Sequence, residues 1–443
     1  MKVLLISANT EQFNMPAMPL GLSCVVEAVK NAGHDTFMLD LMFQMDVDAT
    51  LKKIIEEFLP ECIGISVRNI DDQNIISPLF LLEKVKEVVK ICSRLSSAPI
   101  VLGGAGYSMF PESALTYLEA DYGIEGEGEI AFPALLMHLN KNDDLTGIPG
   151  LHIRGQEDGD QKSEDRGQKS EIRGQGKTQA RTLCTQLDKL TLPETGILST
   201  SASRSQDPWI PVQTRRGCPL KCSYCSTPAI EGSILRKRSP EVVADWLKSW
   251  VKAGYSNFFF VDNTFNLPPS YAKSICREIL KRELDMDWRA IIYPRNVDEE
   301  LVELMDKAGC KGISLGFESG SPQILKNLNK KFTLEDVKRI STLFSDHGIE
   351  RMGFLLLGGP GETKETVEES LAFADSLKLN AMRLTGGIRI YPDTQLAKTA
   401  KDQGVITSKT NLLYPCFYLS RELEEWLPER LNKWQSTRPY VMM

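Results

Sequence analysis

Cys218, Cys222 and Cys225 stand within eight residues as Cys-x-x-x-Cys-x-x-Cys, in the run Arg216-Gly217-Cys218-Pro219-Leu220-Lys221-Cys222-Ser223-Tyr224-Cys225. Soft thiolates suit iron, and three so close together can wrap one iron–sulfur cube. A four-iron cube normally takes four cysteines. Three leave one iron without a protein ligand, and an open coordination site serves chemistry rather than electron storage. Gly217 and Pro219 favour a loop that folds the sulfurs inward. Three other readings stay open. A structural zinc knot needs a fourth Cys or His at short spacing, and His34, His138, His152 and His347 are all distant. An electron-transfer ferredoxin needs a fourth cysteine. A chance group of core cysteines needs a buried helix or strand, which Pro219 and Lys221 disfavour.

This loop, with the aromatic Tyr224 just before its last cysteine, resembles the hallmark of the radical S-adenosylmethionine (SAM) superfamily. The resemblance implies a [4Fe–4S] cluster on Cys218, Cys222 and Cys225 whose free iron chelates the amino and carboxylate groups of SAM. Reductive cleavage of SAM then yields a 5′-deoxyadenosyl radical. Tyr224 is expected near the adenine, and the protein supplies position and a dry cavity.

The chain has 443 residues and a net charge of −7, with 42% hydrophobic and 25% charged residues. The length prior is about three domains, softened because barrels run long. The charge balance leaves no electrostatic footprint for nucleic acid and no polybasic membrane patch. A lipid-like substrate stays open, since it would enter a pocket. The start, Met1-Lys2-Val3-Leu4-Leu5-Ile6-Ser7, is too short an apolar run for a signal peptide, and no stretch is long enough to span a membrane. A cytoplasmic, reducing and preferably anaerobic setting is expected. The seven other cysteines read as small buried hydrophobes.

Residues 1–140 alternate apolar runs at 3–6, 36–39, 63–67, 99–102 and 122–126 with helical patterns. Continuous Val/Ile/Leu runs suit parallel strands buried on both faces, so a doubly wound, Rossmann- or flavodoxin-like α/β domain is expected, with its ligand beyond the carboxyl ends of the strands. Those ends carry Ser66, Arg68 and Asn69, then Gly103 and Gly104, then Gly126. Any one of these loops is as readily an ordinary tight turn, but several on one rim suit a large flat ligand that approaches the backbone closely. Joined to a radical module, this layout resembles the cobalamin-binding domain of cobalamin-dependent radical enzymes, with Gly103-Gly104 matching the turn after strand four. The Asp-x-His-x-x-Gly signature of the wider cobalamin fold is missing. The resemblance therefore implies cobalamin without a His lower ligand, over Arg68, Asn69 or water. A salt bridge from Arg68 to Asp71 or Asp72 is the competing use of that residue.

Residues 141–207 read as a connector. Its polar insertion, at about 155–182, carries a seven-residue repeat without apolar a/d positions, which argues for disorder. Residues 208–400 carry six further β–α units, with strands expected at 210–213, 258–261, 289–293, 312–317, 352–357 and 382–391. Six units are fewer than a closed barrel needs, and they match the radical superfamily's partial (β/α)6 barrel. Polar groups fall at its strand ends: Asp262, Arg295, Glu318, the Gly358–Gly361 turn, and Arg389 with Tyr391. The resemblance implies that Glu318, in Gly316-Phe317-Glu318-Ser319-Gly320, meets the ribose or amino group of SAM. Asp262 is second, Arg295 is a further contact, and Gly358-Gly359 cradles the methionine or adenine part. Glu362-Thr363 reads more simply as the start of the next helix. Residues 401–443 form an aromatic extension that either caps the barrel mouth or packs outside it.

The family resemblance implies a cobalamin-dependent methyltransferase acting on an unactivated centre of a small molecule or lipid, with flavodoxin or ferredoxin as electron donor. Radical cyclisation or oxidation of a lipid or tetrapyrrole precursor is the close alternative. A methylthiotransferase needs a second cluster, which Cys24, Cys62 and Cys92 are poorly placed to hold. A cobalamin sensor with a relic barrel sits badly with the intact cysteine loop.

Overall fold

The computed structural model describes residues 1–11, 18–141, 143–155, 179–197 and 208–442. These form two compact units. One comprises described residues of Met1–Ile70, Leu81–Thr185 and Lys189–Arg204; the other comprises Asp71–Phe80, Gln186–Asp188 and described residues of Ser205–Met443.

The first unit is built on strands β1 (Lys2–Ser7), β2 (Asp35–Asp40), β3 (Cys62–Ser66), β4 (Ile100–Gly103), β5 (Tyr122–Ile124) and β6 (Leu151–Ile153). Their order is β2-β1-β3-β4-β5-β6. The first five are parallel, and β6 runs antiparallel to β5. Val3, Leu4, Leu5 and Ile6 are fully or almost fully buried, as are Cys62, Ile63 and Ile65, which is why these strands read as unbroken apolar runs. Five helices that match the expected helical patterns, Leu20–Asn31, Val47–Phe58, Leu82–Leu95, Pro111–Leu118 and Gly128–Lys141, fall between and after the strands. The expected doubly wound α/β domain is therefore present as a mixed sheet. The stretch 147–154, an extended piece of the expected connector, supplies the sixth strand at 151–153 and so belongs to this sheet, and a short helix that was not anticipated, Ala105–Met109, follows β4. Most of the polar insertion, including its repeat, lies outside the described residues.

The second unit holds β7 (Ile210–Val212), β8 (Arg215–Arg216), β9 (Arg236–Lys237), β10 (Asn257–Phe260), β11 (Asp287–Ile292), β12 (Cys310–Glu318), β13 (Glu350–Leu357), β14 (Ala381–Gly386), β15 (Ile388–Arg389), β16 (Phe417–Tyr418) and β17 (Val441–Met442). Its main sheet runs β7-β10-β11-β12-β13-β14-β17, and every pairing in it is parallel. This is the parallel α/β sheet of a partial barrel. Its helices start where the side chains say they should. Asp298, Thr333 and Thr363 each accept a backbone N–H of the first turn that follows them, and Thr333 and Thr363 do so within capping boxes. The chain after residue 400 is part of the architecture: β16 pairs with β15, and β17 extends the sheet beside β14. Among the described residues no helix is long and apolar enough to cross a membrane.

Candidate cofactor sites

The cysteine loop leaves the sheet at the end of β7 and is clamped at its root. Asp262 is fully buried. Its Oδ1 accepts from Thr214 N at 2.8 Å and Arg215 N at 3.2 Å, and its Oδ2 accepts from Thr214 Oγ1 at 2.6 Å. Arg215 Nε lies 3.3 Å from the same carboxylate, and Nη1 donates to the carbonyls of Thr264 and Leu267. The guanidinium also stacks 4.5 Å from the Tyr271 ring centroid. Burial pushes the Asp262 carboxyl up, against the pull of Arg215 and Thr214. Asp262, expected to touch SAM, has both oxygens turned onto the chain's own loop root.

The loop itself is held open by Gly217, at φ +85°, where a side chain would strike the Ile234 carbonyl. The antiparallel β8–β9 ribbon closes it. Gly217 N donates to Glu231 Oε2 at 3.0 Å, and Asn263 Nδ2 donates to the same oxygen at 2.7 Å. Cys218 N bonds Gly232 O, Ser223 N bonds Leu328 O, and Leu396 N bonds Ser223 O. All three cysteines are free thiols. Burial pushes the Cys218 thiol up to about 11, and it raises Cys222 as well. A thiol must lose its proton to bind iron, so the metal has to supply that driving force. Among the described residues no three side chains converge on a single metal ion. A cube whose irons each take one thiolate does not require convergence on a point, and the soft donor set fits a [4Fe–4S] cluster.

Beside this loop lies a polar cluster. Lys330 Nζ donates to Tyr224 OH at 3.0 Å and to Glu318 Oε1 at 3.3 Å, with the lysine side chain only 5% exposed. Burial works against the ammonium, but Glu318, Tyr224 and Cys222 outweigh it and hold its pKa well above the ordinary lysine range. Burial, with Glu318 adding to it, also pushes the Tyr224 phenol up. Glu318 sits at φ +62° beside an irregularity in the β12–β13 register, so the strand end turns its side chain to this cluster. Tyr224 packs against the apolar group of Ile324, Leu328, Ile388 and Ile390. The structure thus brings Cys222, Tyr224 and Glu318 together. It adds Lys330, which sequence reasoning missed because the Lys330-Lys331 pair looks like ordinary surface charge.

Two expected contacts have other partners. The N–H groups of Gly358 and Gly359 both donate to Glu362 Oε2, at 2.5 and 2.8 Å, which leaves neither free to cradle SAM. Burial pushes the Glu362 carboxyl up to about 7 despite those bonds. Thr363 caps the next helix, as the simpler reading had it. Arg295 is exposed, and its carbonyl accepts from the buried Asn266. Arg389, at the sixth strand end, is buried against Asp71 at 2.6 Å and also bonds the carbonyls of Leu412 and Cys416.

In the first unit a cleft opens at the ends of β1 and β3, lined by Ala8, Asn9, Glu11, Ser66, Arg68 and Asn69 among others. In the order β2-β1-β3 this is the topological switch point, where open α/β sheets bind ligands. Arg68 is exposed there, and its guanidinium makes no hydrogen bond or ion pair among the described residues; the protein crowding around it lowers its pKa all the same. The Asn9 amide nitrogen is buried without a partner among the described residues. Asp71, the competing partner for Arg68, is paired with Arg389 instead. Gly104, at φ +97°, lets the β4 turn pass close to β3, since a Cβ there would stand 2.6 Å from Val67 O. Gly126 serves a different approach: its N–H bonds Ser108 Oγ, and Arg181 packs over it. His34 lies in the turn before β2, 3.4 Å from the amino terminus, at the opposite end of the strands from the cleft. The Arg68 guanidinium and the Asn9 amide, unbonded among the described residues, are polar groups of the kind that would meet the edge of a large polar ligand such as a corrinoid.

Residues 212–374 match the model of the radical SAM superfamily, and residues 6–136 match that of the B12 binding domain. An uncharacterised methyltransferase of Pyrococcus horikoshii is 27% identical, over 98% of this chain and 90% of its own length. Tryptophan 2-C-methyltransferase of Streptomyces laurentii is 25% identical, over 89% of this chain and 74% of its own. The radical SAM methyltransferase TsrM of Kitasatospora setae, solved with tryptophan and a SAM analogue, superposes with a TM-score of 0.86 at 23% identity. The match covers 100% of this chain and 90% of that one, and it bears on the fold.

Proposed function

Because the chain belongs to the radical SAM enzymes that carry a B12-binding domain, we propose that it transfers a methyl group from SAM to an unactivated carbon of a small organic molecule. The observation that carries this reading is the presence, in one chain, of a three-thiol loop and a switch-point cleft lined by Arg68 and Asn69. Relatives named as methyltransferases that span most of the chain support it. When bound, the cluster with SAM supplies a hydrogen-abstracting radical, and cobalamin supplies a methyl carrier.

The chain's own residues have separable tasks. Cys218, Cys222 and Cys225 bind three irons, and Gly217 gives their loop its bend. Tyr224 backs the adenine, and Glu318 meets the ribose or amino group. Asp262 acts through the loop root it bonds rather than on SAM. In the cleft, Arg68 or Asn69 would meet cobalamin in place of a His, and Ser66, Gly103 and Gly104 would hold its edge. A flavodoxin or ferredoxin delivers the electrons, in a cytoplasmic and anaerobic setting.

The test is incubation of the anaerobically reconstituted enzyme with methyl-labelled SAM, a reductant, and a panel of small aromatic and phosphonate acids that includes tryptophan. Label appearing on a carbon of one of these acids supports the proposal. SAM cleavage to 5′-deoxyadenosine with no label transferred to any acceptor, including those in cell extract, overturns it in favour of radical cyclisation or oxidation.

A further inference from the structure

Two stretches of the second unit run against the charge of the whole chain. The protein carries a net charge of −7, yet residues 215–238 hold six Lys or Arg and one carboxylate, and residues 319–334 hold three lysines and no carboxylate. Both stretches border the cysteine loop. Cys218 N bonds Gly232 O at 3.1 Å, and Gly217 lies so close to the next turn that a Cβ on it would stand 2.2 Å from Ile234 O. On the other side, Asn329 donates from its side chain to Lys221 O, and Lys331 Nζ donates to Asn329 Oδ1 at 2.5 Å. Lys221, Lys237, Lys326 and Lys331 are exposed and form no ion pair among the described residues. The one carboxylate of these stretches, Glu231, is only partly exposed and already accepts from Gly217 N and Asn263 Nδ2. A third segment reaches the loop through the bond from Leu396 N to Ser223 O; there the exposed Asp393 is matched by the exposed Lys398. Apolar surface accompanies the lysines: Ile234 is 76% exposed, and Pro219, in the loop itself, is exposed as well.

We propose that this basic surface, formed by Lys221, Lys326 and Lys331 with Ile234, docks an acidic protein that carries one electron at a time, and that the electron enters the cluster here. Opposite charge steers such an encounter, even where the protein as a whole repels its partner. Electron-transfer encounters bury little area, so a few lysines and one apolar contact suffice. A partner seated on residues 232–234 is one backbone hydrogen bond from Cys218. In the transfer, a flavin hydroquinone of the partner gives up one electron and becomes a semiquinone, and the oxidised cluster takes that electron up. The chain's own share is to hold the partner against the loop. The inference rests on the cluster-bearing role proposed for that loop.

The experiment is anaerobic stopped-flow reduction of the reconstituted full chain, followed by bleaching of the cluster absorbance, with iron counted in each sample. The reductants are flavodoxin hydroquinone, an acidic protein, and the radical cation of methyl viologen, a small positive molecule. The proteins are wild type, the double variant Lys326→Glu with Lys331→Glu, and Ile234→Ser. With flavodoxin at ~0.05 M ionic strength, the double variant should react about tenfold more slowly than wild type. The gap should close to about threefold or less at ~0.5 M, where salt screens the surface. Ile234→Ser should be slowed about fivefold at both ionic strengths, as a lost apolar contact would be. With methyl viologen neither variant should be slower than wild type. A wild-type flavodoxin rate that does not fall with salt overturns the proposal, as do variant rates equal to wild type. Equal slowing with both reductants overturns it too, because the substitutions would then have changed the cluster and not the docking. If a variant fails to hold iron, the salt response of wild type decides: a fall upholds the proposal and a flat response refutes it. A wild-type chain that takes up no iron refutes the cluster reading itself, and the iron count tells that outcome from the others.

Discussion

At the ends of β1 and β3, among the described residues, Arg68 has no ion pair and the Asn9 amide nitrogen has no hydrogen-bond partner. At the end of β7, Asp262 accepts three hydrogen bonds, Glu231 ties Gly217 to Asn263, and Lys330 bonds Tyr224 and Glu318. Both places are carboxyl ends of parallel strands, and they are built in opposite ways. The first is an open rim whose polar groups await a ligand. The second is a braced loop in which the protein's own contacts fix where three sulfurs stand. A large cofactor held along its edges needs access. A cluster held by short covalent bonds needs ligands placed to a fraction of an ångström.

This contrast breaks most sharply at Cys222. Cys222→Ala should abolish SAM cleavage and lower the iron content, while corrinoid binding, measured by absorbance after desalting, stays at the wild-type level. Loss of both cofactors together would mean that the two sites are not independently built.

Next in size is the brace. Asp262→Ala strands the buried Arg215 charge and three donors, a loss of about 3–5 kcal/mol for a broken buried pair. Calorimetry should show the second unit's transition fall by roughly 10 °C, with the first unit's unchanged. A shift within 2 °C would contradict the bracing role.

Glu362 gives a pH-dependent version of the same point. Folding raises its carboxyl from the usual 4.5 to about 7, so the folded state binds more protons than the unfolded state between those values. Stability from this group is therefore greatest below about pH 4.5 and is lost as pH rises to about 7, by on the order of 3 kcal/mol. Glu362→Gln keeps an acceptor for Gly358 and Gly359 and removes the cost of ionisation. Thermal unfolding should show it more stable than wild type at pH 8 and level with it near pH 4.5. Equal differences at both values would refute the assignment.

The smallest effect on stability is expected in the open rim. Arg68→Ala removes an exposed side chain with no bonded partner among the described residues, so the change should stay within about 0.5 kcal/mol. The absorbance of bound cobalamin should nevertheless change, since the residue proposed beneath the corrin is gone. An unchanged spectrum would move that role to Asn69 or to water.

What was legible in the sequence follows the range of the interactions. The main strands and helices were readable because apolar runs and caps such as Thr333 are local signals. The cysteine loop was readable for the same reason. Lys330 was not: its burial depends on Tyr224, 106 residues away in sequence. The Asp71–Arg389 pair joins residues 318 apart. Gly126 looked like a ligand cradle because its φ freedom is a local property, whereas the Arg181 side chain against it is 55 residues further along the chain. β17 is two residues long, too short to leave a pattern.

The most direct test of the two-site account is metal stoichiometry. The chain should be purified and reconstituted anaerobically with iron, sulfide and cobalamin, desalted, and assayed for iron and cobalt per chain. The account predicts about four irons and one cobalt together in the same molecule. Four irons without cobalt would contradict it and leave the switch-point cleft to another ligand.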